Sequence, residues 1–416
     1  MIKIFHTADV HLGVENYGKI DSKTGIHTRL LDFKNSFAQV VTDAIEQDID
    51  LFLFCGDAYK TAYPTPTQLK FFMEELFRLQ QAKIPVVIIV GNHDHPLSFG
   101  KANALDIFAD LPLDGFYLFS KPEIKVVETK SGKIQIVGMP WPTKNNLVTK
   151  DDHRFKNSED ITRYLSEKVS QIIQGFVEQL DSSIPSVLAG HLTVGEGIFS
   201  GSEKRAIYGS DPTFLVSELA NVAFDYVALG HLHRFQNLNE GGYPAVVYSG
   251  SVDRVDFGER KDQKGYCKIL IDETAPKCSE KRAVLDFVPI QTRPFVQIEL
   301  EIKDGIDQTD QILAEITNNE IDGAIVKIVY HVFENQIDKV DLNAILRACG
   351  NAHYLVGVFP VRRFVKLERR AALKVDMDFE SLISKYLESK EESKETKDRI
   401  MEKAKILYTE YTDLVG

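Results

Sequence analysis

The sequence is poor in cysteine. Cys55, Cys267, Cys278 and Cys349 are the only four in 416 residues, with no CxxC pair and no dense spacing, so neither a disulfide framework nor a structural zinc site is indicated and a reducing compartment is expected. Long apolar runs are missing too. None approaches the ~18 residues that a membrane span needs, and Met1 leads straight into the strand-like Ile2-Lys3-Ile4-Phe5 with no basic segment and long apolar stretch before it. The expectation is a soluble, cytoplasmic protein with no membrane partner. Basic charge is not in excess: 49 Lys and Arg against 61 Asp and Glu leave a net charge of -12, which as a global figure argues against a polyanion ligand. Internal repeats are absent. What remains, 44% hydrophobic and 26% charged residues, suffices to bury real cores and excludes wholesale disorder. The length exceeds what one core usually organises, so two or three domains are expected.

Strands alternate with helices in the first part of the chain. Leu51 to Phe54, Val86 to Val90 and Tyr226 to Leu229 are short and rich in β-branched or aromatic residues, while Phe33 to Glu46 and Thr67 to Gln81 carry apolar residues at helical spacing. An α/β layered domain follows, extended by runs at Ile134 to Val137, Val187 to Ala189, Val246 to Tyr248 and Tyr266 to Ile271 and ending near residue 284. From 285 to 375 a strand-helix-strand-helix-strand pattern predicts a small α+β domain. Its exit, Val361 to Lys374, holds Arg362, Arg363, Lys366, Arg369, Arg370 and Lys374 against a single acid, Glu368. That run reads either as a solvated linker face or as a contact to a DNA backbone or an acidic partner. Residues 376 to 416 predict two helices joined by a polar stretch, each with an apolar face: Phe379, Leu382, Ile383, Tyr386 and Leu387, then Ile400, Ala404, Leu407, Tyr408 and Tyr411. Those faces pack on their own domain or dock onto a partner helix.

Polar residues follow directly on apolar runs at five places: Asp9-Val10-His11, Gly56-Asp57, Gly91-Asn92-His93-Asp94, Gly190-His191 and Gly230-His231-Leu232-His233. In a layered α/β fold the strand C-termini share an edge, so these groups can meet although they lie more than 200 residues apart. Carboxylates, an amide oxygen and imidazoles without a thiolate suit borderline divalent metals. One carboxylate bridging two ions holds them ~3.5–4 Å apart, the spacing that serves in-line displacement at phosphorus. Glycines before these residues let the backbone come close to the ions. Taken singly, a DxH or a GD is as readily a turn or cap; it is the ordered set that points to a metal centre. His6 lies inside the first strand and reads as a packed residue, and Gly13 to Ile20 mimics a phosphate loop but lacks its Ser or Thr.

The five blocks in this order resemble the signature of the calcineurin-like metallophosphoesterases. His6-Thr-Ala-Asp-Val-His-Leu-Gly13, Arg29 with Asp32-Phe33, Pro64-Thr-Pro66, Tyr226 to His233 and Gly250-Ser-Val-Asp-Arg-Val-Asp-Phe-Gly258 further resemble the SbcD-type nuclease subunits of DNA double-strand-break repair, over about residues 1 to 375. The resemblance implies a layered β-sandwich flanked by helices, with the 285–375 domain capping the metal edge. It implies two divalent ions, of which manganese is expected: the first on Asp9, His11, Asp57 and His233, the second on Asp57, Asn92, His191 and His231. His93 would donate to the phosphate or leaving oxygen, with Asp94 orienting its ring. Three residues after the bridging Asp57, where some members carry a second histidine, this chain has Lys60, a point charge for phosphate.

Three functions compete: a metal-dependent DNA exonuclease and endonuclease; a phosphoesterase acting on nucleotides or other small phosphoesters; and a structural subunit that tethers DNA. The intact ligand set speaks against the third. The resemblance further implies an SbcC-type coiled-coil ATPase bound through the C-terminal helices, in a heterotetramer built on a homodimer. Lys60, Arg362, Arg363, Arg369 and Arg370 are the candidate DNA contacts. A DNA-loading partner reconciles a nuclease with a net charge of -12.

Overall fold

The computed structural model describes residues 1–96, 101–110, 114–143, 147, 158–201, 211–333, 337–363, 378–388 and 393–415. Its strands are, in chain order, β1 (Ile2–Thr7), β2 (Leu51–Phe54), β3 (Val86–Ile89), β4 (Phe116–Phe119), β5 (Glu123–Thr129), β6 (Gly132–Met139), β7 (Ser186–His191), β8 (Thr193–Val194), β9 (Thr213–Phe214), β10 (Tyr226–Gly230), β11 (Gln236–Asn237), β12 (Ala245–Tyr248), β13 (Gly265–Ile271), β14 (Ala283–Pro289), β15 (Phe295–Glu301), β16 (Ile325–Phe333) and β17 (Tyr354–Arg363).

Two six-stranded sheets dominate, ordered β14-β13-β1-β2-β3-β4 and β11-β12-β10-β7-β6-β5. In the first, β1 to β4 are parallel and β13 and β14 antiparallel. In the second, β12, β10, β7 and β6 are parallel, with antiparallel strands at both edges. Successive side chains of a strand point to opposite faces, and the apolar runs use both. Leu51, Leu53, Val87 and Ile89 meet Ile136, Val187, Ala189, Ala228 and Val247 in a core between the sheets. Phe52, Phe54, Val86 and Ile88 face the other way, onto Phe33, Phe37, Val40, Phe72, Leu76 and Leu79 of the helices α1 (Thr28–Glu46) and α2 (Pro66–Gln81). On the outer face of the second sheet, Val137, Leu188, Val227 and Tyr248 pack with Leu165, Val169 and Ile173 of the helix Ser158–Val177. The expected helix-flanked β-sandwich is therefore present, its strands read as continuous apolar runs because both faces are covered.

Local chemistry sets the helix starts. Thr65 and Gln68 form a reciprocal capping box before α2, with Pro66 in its first turn. The side chain of His27 accepts the Arg29 N–H at the start of α1.

The chain gathers into two compact units, Met1–Ile298 with Ile316–Lys327 and Leu346–Gly357, and Glu299–Glu315 with Ile328–Ile345 and Val358–Gly416. The boundary expected at 284–285 falls within β14, which pairs with β13 along its length. The later pattern yields the three-stranded sheet β15-β16-β17 and the helices Gln308–Thr317 and Leu342–Ala348. The two C-terminal helices are Phe379–Glu388 and Lys394–Val415, joined by a stack of Phe379 on Tyr408 with ring centroids 4.1 Å apart. Among the described residues, no helix is long and apolar enough to cross a membrane.

Candidate metal centre

Five parallel strands, β1, β2 and β3 of one sheet and β7 and β10 of the other, deliver the five polar blocks to one edge. The segments after β1 and β2 run on side by side: Asp9 N–H donates to Gly56 O at 2.9 Å, His11 N–H to Asp57 O at 3.0 Å and Leu12 N–H to Ala58 O at 2.9 Å. Across the sandwich, His231 N–H donates to both oxygens of the Asp9 carboxylate at 3.2 and 3.0 Å.

Asp57 stands at the centre. Its Oδ2 is 3.8 Å from His11 Nε2 and 3.4 Å from His191 Nε2, while its Oδ1 accepts the His93 N–H at 2.9 Å. On one side, His11 Nε2 is 3.0 Å from His233 Nε2 and 4.0 Å from Asp9 Oδ1. On the other, Asn92 Oδ1 lies 2.9 Å from His191 Nε2 and 3.2 Å from His231 Nδ1. Among the described residues, three groups of candidate ligands come together: Asp9, His11 and His233; Asp9, Asp57 and His191; and His11, Asp57 and His93.

The packing leaves no room for side chains at the intervening glycines. A Cβ on Gly56 would meet His191 Nδ1 at 2.4 Å, and one on Gly91 would meet Asp57 Oδ1 at 2.2 Å. These glycines thus bring the candidate ligands against one another, which is a sharper role than bringing backbone towards ions. The backbone is also bent for the purpose: Asp9, His11, Asp57 and His231 have φ of 54°, 48°, 58° and 106°. Left-handed conformations are unfavourable for side-chain-bearing residues, most of all at the value of His231, and they persist only where the surrounding structure imposes them.

Hydrogen bonding fits the donor set to divalent cations. The Nδ1 of His191 faces the Cys55 carbonyl at 2.8 Å, so it carries a proton and donates. The other nitrogen, Nε2, then turns towards two oxygens, Asn92 Oδ1 and Asp57 Oδ2, a position that holds a second ring proton or, in its place, a divalent cation. His231 Nε2 is buried with no hydrogen-bond partner. Burial is the largest single influence on each of these groups, and neighbouring charges decide whether it prevails. It raises Asp9 to about 7 against the pull of His191 and His233, lowers His231 to about 3 and holds His11 well below its ordinary value. At His191 burial is outweighed by Asp57 and Asp9, and the ring rises to about 9. Burial likewise loses to the His191 and His93 rings at Asp57, whose carboxyl lies well below the usual range. Protons and cations compete for the same atoms.

The role expected of Asp94 is corrected. Its carboxylate does not orient the His93 ring; it accepts backbone N–H groups from Asp57 at 2.9 Å, Ala58 at 3.3 Å, Tyr59 at 3.2 Å and Gly91 at 3.1 Å. An ionised acceptor with four donors around it is saturated, and the segments after β2 and β3 are bound together through it. The His93 ring is set instead by the Lys60 backbone carbonyl, 2.8 Å from Nδ1. The ring itself is exposed and lies 5.0 Å from that of His11. His6 is buried between the sheets, with Nδ1 3.1 Å from Tyr226 Oη and Nε2 3.2 Å from Leu229 O. Lys60 and Arg362 are exposed. Arg369 and Arg370 lie outside the described residues, as does the side chain of Arg363.

Two features have no counterpart in the sequence reading. Glu259 Oε1 is 2.9 Å from His233 Nδ1. Trp141, the sole tryptophan, has its ring 4.9 Å from His231 and 6.0 Å from His191. Trp141 follows β6, which pairs with β7 up to Met139 and Gly190; the same strand-end reasoning that located His191 leads to it.

Residues 2–235 match the family described as calcineurin-like phosphoesterase. Among solved structures, the chain is similar to a dimetal phosphatase from Danio rerio (10% identity, 69% of this chain and 95% of that one, TM-score 0.43). It is also similar to the protein TT1561 of Thermus thermophilus (12% identity, 69% and 98%, TM-score 0.38). A third similarity is to a metallophosphoesterase from Sphaerobacter thermophilus (11% identity, 84% and 99%, TM-score 0.24).

Proposed function

Because the chain belongs to the calcineurin-like phosphoesterase family, we propose that it is a two-metal phosphodiesterase whose substrate is DNA, the nuclease subunit of an SbcD-type complex, working with manganese. The observation that carries the two-metal reading is the position of Asp57, whose Oδ2 lies between His11 Nε2 at 3.8 Å and His191 Nε2 at 3.4 Å. Asp9, His11, Asp57 and His233 would hold one ion; Asp57, Asn92, His191 and His231 would hold the other. When bound, the ions supply Lewis acidity towards a phosphoryl group and make water easier to ionise at neutral pH.

The remaining steps fall to the side chains. Asp57 and Asp9 return two negative charges, which leaves net positive charge for an anionic phosphodiester. His93 is pinned at Nδ1 by the Lys60 carbonyl, so the proton passed to the leaving oxygen is the second one, carried on Nε2 by the doubly protonated ring. Lys60, whose side chain is exposed, attracts the phosphate as a point charge. Arg362, Arg363, Arg369 and Arg370 position the DNA backbone. The C-terminal helices, which expose Tyr386, Ile400, Leu407 and Tyr411, dock the SbcC-type ATPase, with two copies of each subunit in the complex. DNA as substrate is supported by the segments around His6–Gly13, Tyr226–His233 and Gly250–Gly258.

A second reading, hydrolysis of nucleotides or other small phosphoesters, draws on the same centre, since two metals address a single phosphorus and the family match ends at residue 235. Incubating the full chain and Mn²⁺ with linear duplex DNA, hairpin DNA, a small phosphodiester and a phosphomonoester separates the two. Cleavage of DNA supports the nuclease; turnover of small esters with intact DNA supports the second reading.

A further inference from the structure

Glu259 is a carboxylate in a place that is costly for one. It is buried with the Lys264 side chain, and a buried charge is tolerated only when it is paired and hydrogen-bonded. Its two oxygens are divided between two tasks. Oε1 faces His233 Nδ1 at 2.9 Å, while Oε2 accepts from Lys264 Nζ at 2.6 Å and Val255 N–H at 3.1 Å. Lys264 Nζ also donates to Ser251 Oγ at 2.8 Å and to the backbone carbonyl of His233 at 2.9 Å. That carbonyl accepts the Ser251 N–H as well, at 3.0 Å. His233 is therefore gripped at its main chain by Lys264 and Ser251, and at its ring by Glu259.

We propose that Glu259 and Lys264 are positioning residues for the metal centre: they hold His233 with its proton on Nδ1 and the Nε2 lone pair turned to the ion it shares with His11. The assignment rests on the two-metal reading and deepens it. A carboxylate accepting from Nδ1 leaves the lone pair on Nε2, the atom 3.0 Å from His11 Nε2, and makes the imidazole a stronger donor. The Lys264 ammonium pairs with that buried carboxylate at 2.6 Å and locks its direction. The segment Gly250 to Gly258 thereby acquires a purpose: Asp256 accepts the Gly258 N–H and starts the short 3-10 turn Phe257–Glu259 that delivers Glu259 to His233.

The test is calorimetric titration of the full-length metal-free protein with Mn²⁺. Wild type should bind two ions. Glu259→Gln should weaken one of them by about 10- to 100-fold and leave the other unchanged, a split that a general loss of folding would not produce. Glu259→Gln with Lys264→Met, which removes both buried charges, should lose the same single site and guards against misfolding of the first variant. In the wild type itself, long-range ¹H–¹⁵N spectra, assigned with His233→Gln, should show the His233 proton on Nδ1. Wild-type affinity for both ions in either variant overturns the assignment, as does equal loss of both sites or a proton on Nε2. A wild type that binds no divalent ion overturns the two-metal reading and this assignment with it.

Discussion

The carboxylate of Asp9, beyond β1 of one sheet, accepts the backbone N–H of His231, beyond β10 of the other, at 3.0 Å and across 222 residues. This bond ties the ends of two strands that share no sheet, and both residues have positive φ there. A site made this way is as rigid as the sandwich that carries it, which suits a centre whose ligands must hold their places against mutual repulsion.

Activity should require added divalent metal, Mn²⁺ first, because an O/N ligand set binds manganese weakly and lets it leave on purification. Asp57→Ala should cost both ions, since Oδ2 faces both halves of the site. Calorimetry should find two sites in wild type and none of comparable affinity in the variant. Full activity after exhaustive chelation would contradict this.

His93→Ala should leave both ions bound and lower turnover by ~10²-fold or more. The ring is exposed and anchored by the Lys60 carbonyl, so its removal opens no core. The ring also lies among the His11 and Asp57 candidate ligands, which makes the measurement decisive: loss of one ion in the variant would make His93 a ligand and not the proton donor.

Asp94→Asn should destabilise the fold by ~1–3 kcal/mol, because an amide N–H₂ replaces an oxygen that backbone donors from Asp57 and Gly91 share. Unfolding in urea measures it. A residue that merely aimed the His93 ring would instead lower turnover with stability untouched.

Much of this was legible in the sequence because the information is local. Leu51 to Phe54 and Val86 to Ile89 announce buried strands by composition, and Asp57 and Asn92 follow them within three residues. The pairing of both sheets at one edge then needs only the rule that parallel strands end together. The Asp94 role was not legible, since a carboxylate next to a histidine has the same sequence whether it serves that ring or the backbone amides 35 to 37 residues away. Glu259 was missed for a related reason. The run Gly258-Glu-Arg-Lys-Asp-Gln-Lys264 reads as solvated charge, and only tertiary packing selects Glu259 and Lys264 as its buried pair. The helix Ser158–Val177 and the strand β5 lie between the motif blocks, where no chemistry drew attention to them.

Acid should weaken the fold through His6. Burial lowers its pKa from 6.5 to about 3, so between those values the unfolded chain binds the proton and the folded one does not. Stability is then full above about 6.5 and falls as pH drops towards 3, by up to about 1.4 kcal/mol per pH unit from this group. His6→Gln, which keeps a donor and an acceptor for Tyr226 and Leu229, should flatten that stretch of a plot of urea-unfolding free energy against pH. An unchanged slope would assign the acid sensitivity elsewhere.

The last prediction separates chemistry from substrate selection. Two metals see one phosphorus and its oxygens, so they cannot by themselves tell a duplex end from a short phosphodiester. The sequence from Arg362 to Lys374 concentrates positive charge in a chain whose net charge is -12, and a cation that neutralises a phosphate releases counterions, which gives binding its salt dependence. Removing one such cation should flatten that dependence by about one unit of slope. Charge reversal at Arg369 and Arg370 should therefore weaken binding and cleavage of duplex DNA, more at low salt than at high, while hydrolysis of a small model phosphodiester stays near the wild-type rate. Parallel assays of both substrates across a salt series read this directly. If both activities fell together, the basic run would be supporting the fold or the metal centre, and DNA positioning would have to be assigned to other residues.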